Sequence, residues 1–192
     1  MAQWKDDRRE RALHEAAHAV VARKLGLAVP HVTIRRSGDG AHAMHASAAY
    51  FARNADVATR IEALEKDAIV AQAGFTANAY ECQHPVEAPD LFDVEEDADR
   101  DTINTRSIIH KMACLQTGQS FSDVDGQVTI DAGMISAMHT IYCRVIDKAY
   151  ALVDQHWRTI LRVAKHLERH GDIDGQATLD DLIERVIVVA GQ

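Results

Sequence analysis

Apolar residues recur at three- and four-residue intervals over five stretches of the chain, and the period changes only once, near the N-terminus. Over 8–25, RRERALHEAAHAVVARKL, the stripe Leu13, Ala16, Ala17, Val20 and Val21 predicts a helix with Arg and Lys on its remaining surface. Asp6 or Asp7 would cap its start and Gly26 would stop it. After Pro30 the pattern reads as a β-hairpin: a strand over 31–36, a turn at 37–40 (SGDG) and a second strand over 41–51. Helical spacing returns over 56–81. The segment 83–93 holds two of the three prolines and reads as a loop. A third helix is expected from Asp93 to 115, its acidic first turn matching the positive end of the helix dipole. The polar stretch 118–133 precedes the longest pattern, 135–170, where Met138, Tyr142, Val145, Ala149, Val153, Ile160 and Leu167 keep helical spacing up to Gly171. Thr178 and Asp181 form a capping-box-like start for a last helix over 179–190. The fold class implied is mostly α (α+β), with a small N-terminal β element.

Length and composition narrow this further. At 192 residues, with no repeat and no linker-like run, the chain reads as a single domain, 1–192. A net charge of −8 with no basic run makes nucleic acid an unsuitable partner. No apolar stretch approaches the 18 residues or so that a membrane span needs, and the charged N-terminus is not a signal peptide. Cys82, Cys114 and Cys143 are an odd, widely spaced set without a C-x-x-C pair, which points to the reducing cytoplasm. Eleven histidines are an excess that asks for a chemical reason.

His14-Glu15-Ala16-Ala17-His18 is an H-E-x-x-H motif inside the first helical pattern. Residues four apart lie one turn from each other on one face, so both imidazoles can reach one ion. Glu15 projects to the side, where it can act as general base toward water. Zinc bound by such a pair lowers the pKa of a coordinated water towards ~7 and polarises a carbonyl. The alternative, two core histidines flanking a chance glutamate, would bury three polar groups among Leu13, Ala16, Ala17, Val20 and Val21 at a cost. A third ligand must come from downstream. The acidic run 93–101 is the source, and spacing alone does not choose among Asp93, Glu96, Asp97 and Asp101.

HEAAHAVVARKLG followed by VTI resembles the protease domain of the FtsH-type membrane ATP-dependent zinc metalloproteases. That family reads HEAGHA-[VIL]-V before a strand containing VTI, and its third zinc ligand is the Asp of a motif like S-N-D-I-x-x-A-T-x-x-A-R-x-M-V. The resemblance implies that Asp97 is the ligand, with Thr102 and Arg106 on the family's Thr and Arg and Ile108 and Ile109 on its Met-Val pair. AIVAQAGFTANAYE is similar to the family's Gly-Gly-x-x-A-E-E helix, Gly74 holding one of the glycine positions. The helical tail resembles the family's C-terminal region in order and spacing. Departures are Ala17 for the motif's glycine, Asn78 and Ala79 within the A-E-E pattern, and residues other than Ser-Asn before Asp97. No phosphate loop is present, and with 13 residues before His14 the expectation is a protease domain without the family's ATPase or membrane anchor.

The expectation is therefore a zinc-dependent endopeptidase with His14, His18 and Asp97 as metal ligands, Zn2+ as cofactor and Glu15 as general base. Without an unfolding motor it would cut flexible or unfolded polypeptides, or work beside a separate ATPase. The competing expectation is a catalytically inactive zinc-binding interaction module. The other histidines carry less. His42 and His45, three apart on a strand, face opposite sides and cannot share an ion, though one could face the cleft as a hydrogen-bond donor. His84 falls in the loop, and His110, His139, His156, His166 and His170 fall along helices as surface positions. Tyr142, Tyr150 and Trp157 read as core, and Cys82 and Cys114 have no ligand spacing.

Overall fold

In the computed structural model, residues 3–35, 42–83, 100–118 and 131–184 are described. The helix that bears the motif, α1 (Gln3–Lys24), is buried from Ala12 to Ala22 at every position except His14, which is half-buried. The expected single stripe with charged flanks is thus overturned. Five alanines between 12 and 22 leave so little bulk that helices pack on more than one side of α1. Its neighbours are α3 (Val57–Glu81) and α5 (Ala132–His170), with strands β1 (His31–Thr33) and β2 (His42–Met44) also against it. The helix begins at Gln3, so Asp6 and Asp7 lie within it rather than capping it.

The structure is mostly helical with one small antiparallel sheet, as the periodicities imply. The sheet has three strands, in the order β2-β1-β3. The third, β3 (Asp172–Asp174), was not foreseen. Gly171, at φ +87°, ends α5 as expected and turns the chain straight into it. Val32 pairs with Ala43 on one side and Ile173 on the other. Thr33 Oγ1 donates to Asp172 Oδ1 at 2.7 Å, tying the two ends of the chain's sheet together.

The expected strand over 41–51 is corrected. Among the described residues of this stretch only His42–Met44 forms a strand, and α2 (Ala48–Phe51) is one turn of helix. Ser47 caps it by accepting from Tyr50 N. Asp67, buried in α3, accepts from Ser47 Oγ (2.6 Å), Ala48 N (2.8 Å) and Ala49 N (3.1 Å). A carboxylate twenty residues away along the chain therefore satisfies the free amides of this turn, and local β propensity loses to it.

Helix α4 (Arg100–Thr117) packs on α3 and α5, and α6 (Gln176–Glu184) closes over α5. The beginning expected for the third helix at Asp93 lies outside the described residues, as do His84, Asp97 and the end of the last helix. Asp56 and Asp131 cap α3 and α5 through Thr59 N and Met134 N, and α5 begins at Ala132, three residues before the expected start. α6 starts at Gln176, ahead of the Thr178–Asp181 pair. Tyr142 is core as expected and Trp157 packs partly against it, but Tyr150 is 45% exposed. Among the described residues, no helix is long and apolar enough to cross a membrane.

Candidate metal centre

Three backbone elements converge on the motif. α1 contributes His14 and His18, one turn apart, with ring centroids 4.6 Å from each other and planes at 77°. α4 contributes Asp101. The distances are 2.9 Å from His14 Nε2 to Asp101 Oδ2, 3.1 Å from His18 Nε2 to the same oxygen, and 3.0 Å between the two nitrogens. Among the described residues this is the one cluster of three ligand-type side chains whose donor atoms lie within 4.8 Å of one another. Around a tetrahedral zinc with bonds of ~2.0–2.1 Å, donors stand about 3.3 Å apart, so the triangle is close to the size such an ion requires.

α3 supplies the floor. His18 Nδ1 donates to the carbonyl of Val70 at 2.6 Å, which settles the tautomer: in neutral His18 the Nε2 lone pair faces the Asp101 carboxylate. Two acceptors 3.1 Å apart are held together only if a proton or a cation lies between them. Nitrogen, nitrogen and carboxylate oxygen are also the donor types of catalytic zinc sites. The residues present fit the ion. One turn beyond Val70, Gly74 passes directly beneath the imidazoles. A Cβ there would lie 2.5 Å from His18 Nε2 and 2.6 Å from His14 Nε2. An interior helix glycine costs about 1 kcal/mol relative to alanine, and here the close approach accounts for it.

The electrostatics follow from burial and from the facing charges. For His18, burial works most strongly and against the charged form, yet the Asp101 hydrogen bond and charge outweigh it, and the pKa is raised. For Asp101 burial again opposes ionisation, but the hydrogen bonds from His14 and His18 hold the carboxyl well below the usual carboxylate range. Glu15, 5% exposed, has its pKa raised by burial, only partly offset by the two histidines. A carboxyl displaced toward neutrality beside a cluster of ligands is suited to accept and release a proton.

His14, Glu15 and His18 thus meet in one place. Asp97 lies outside the described residues, and the carboxylate found at the histidines is that of Asp101, another member of the acidic run. The expectation for His42 and His45 also changes. Both are half-buried, and the chain leaves the strand at Met44, before His45. The charge of His42 acts on Glu15, while His45, its pKa lowered by burial, feels His18, Asp101 and Asp67. Val70 was invisible to sequence reasoning because its contribution is a backbone carbonyl. Gly74 carried a signal of its own, a glycine inside a long helix.

No protein-family profile matches the chain, and no curated protein matches it.

Proposed function

We propose that the chain is a zinc-dependent endopeptidase that hydrolyses peptide bonds in flexible or unfolded polypeptides. The observation that carries this reading is the convergence of His14 Nε2, His18 Nε2 and Asp101 Oδ2 within 3.1 Å, beside the buried carboxyl of Glu15. When bound by these donors, zinc would supply Lewis acidity, lowering the pKa of water and polarising a peptide carbonyl. Glu15 takes the proton of the attacking water and passes it to the leaving amine nitrogen. Val70 holds His18 in the ligating tautomer, and Gly74 keeps the space beneath both imidazoles. β2 lies at the edge of the sheet, and the charge of His42 within it reaches Glu15. An extended substrate adding to that edge by main-chain hydrogen bonds is carried past the general base.

The resemblance of HEAAHAVVARKLG and VTI to FtsH-type proteases supports the same chemistry, and in that reading a separate ATPase would supply unfolded substrate. Three free cysteines fit action in the cytoplasm. The test is metal content together with cleavage of casein and of short peptides, for the wild type and Glu15→Gln. Zinc at one equivalent in both, with hydrolysis in the wild type alone, is the expected result. Zinc without hydrolysis in the wild type would favour the inactive zinc-binding module instead.

A further inference from the structure

The far end of the α3–α4 pair holds a cavity of about 450 Å³ whose walls include Ala49 and Arg53, Arg60 and Leu64, and Lys111 and Leu115. That is the size of a pocket for a side chain or small ligand. Three cations line it, and no carboxylate does so among the described residues. The Arg53 guanidinium lies 4.7 Å over the ring of Tyr50, while neither Arg60 nor Lys111 forms an ion pair among the described residues. Asp56, one turn before Arg60, is turned away onto Thr59 N and Oγ1. In a chain with 29 acidic and 21 basic residues, three cations around one cavity, with no carboxylate among its described lining residues, give a local charge opposite in sign to that of the whole.

The position of the cavity relates it to the metal centre. Leu64 lies ten residues before Gly74 on α3, and Lys111 ten residues after Asp101 on α4. At 1.5 Å per residue, both helices put the cavity about 15 Å from the metal ligands. An extended peptide covers that distance in four to five residues at about 3.3 Å each. β2, at the edge beside Glu15, runs within a few residues into α2, whose Ala49 lines the pocket together with neighbouring Arg53. Tyr50 and Phe51, 60% and 75% exposed, add apolar surface along the same stretch.

Resting on the peptidase reading, we propose that this pocket is an acidic subsite. It receives a Glu or Asp side chain of the substrate polypeptide four or five residues from the bond that is cut. Aliphatic walls from Ala49, Leu64 and Leu115 take the side-chain stem, and Arg53, Arg60 and Lys111 take the carboxylate.

The experiment uses the full chain and quenched-fluorescent peptides in which a single Glu is moved from one to six residues on either side of the cleaved bond. Glu at the fourth or fifth position is expected to raise kcat/KM about tenfold over the Gln peptide. The advantage should disappear in Arg60→Gln/Lys111→Gln, whose cleavage of the Gln peptide stays unchanged. Fluorescence anisotropy with labelled Glu and Gln peptides on Glu15→Gln protein reads binding without turnover, and the same preference is expected there. Equal binding of the two peptides, or a preference that persists in the double variant, would overturn the subsite. Pocket-dependent binding with no peptide cleaved would instead overturn the peptidase reading and leave an acidic-peptide site standing.

Discussion

Gly74 on α3 and His18 on α1 approach so closely that a single methyl group could not stand between them: a Cβ on Gly74 would lie 2.5 Å from His18 Nε2. Three constraints meet at this contact. His14 and His18 must share a face of α1, Val70 must hold the second ring, and α3 must pass under both.

Gly74→Ala would ordinarily stabilise a helix interior by about 1 kcal/mol. Here the sign is expected to reverse. The added methyl would displace both imidazoles, costing about 1–3 kcal/mol of stability as an overpacked contact and weakening metal binding. Urea unfolding with and without zinc, alongside a metal titration, measures both effects. A more stable Gly74→Ala protein with unchanged zinc affinity would contradict the geometry.

Glu15→Gln keeps the volume of the side chain and removes its ability to take a proton. Zinc binding is expected to persist while kcat falls by about 10² to 10⁴. The readout is peptide hydrolysis normalised to bound metal.

Asp101→Ala removes the carboxylate found 2.9 Å from His14 and 3.1 Å from His18. Zinc affinity should fall by more than about a hundredfold, beyond the loss expected of a merely supporting partner. The same measurement on Asp97→Ala compares the residue implied by family resemblance, and a larger loss there would move the third ligand to it. Chelator should also lower the melting temperature of the wild type, since an ion at about a thousand times its Kd stabilises the folded state by about 4 kcal/mol.

Acid sensitivity is expected at Glu65, which accepts from Arg144 Nε and Lys148 Nζ, both at 2.6 Å. Burial, the largest influence, opposes its ionisation, but Lys148 and Arg144 outweigh it and the pKa is lowered. With the folded-state pKa below the unfolded one, this carboxylate contributes stability above the ordinary Glu value of about 4.3. The contribution is lost as pH falls through the lower, folded-state value. Glu65→Gln should flatten the acid limb of the stability profile and cost no more than about 1 kcal/mol near neutrality. Urea midpoints collected between about pH 3 and 7 test the shape.

The sequence alone carried whatever depends on neighbours along the chain. The i, i+4 spacing of His14 and His18 is a property of any α-helix, and Gly26 and Gly171 stop their helices at positive φ as their lack of a Cβ allows. The long periodic segments became α1, α3 and α5 for the same reason, since helical hydrogen bonds close within four residues. What tertiary structure decided are the choices among locally equivalent alternatives. The carboxylates at 93, 96, 97 and 101 have the same chemistry in the same acidic run, and it is the packing of α4 on α3 and α5, the two helices that also flank α1, that brings Asp101 to the histidines. Strand propensity over 41–51 was ended by Asp67 reaching over from α3, and three residues after α5 became a strand because β1 had an open edge for them. In each case the deciding partner lies 18 or more residues away, where the energy of a contact depends on packing that no local pattern records.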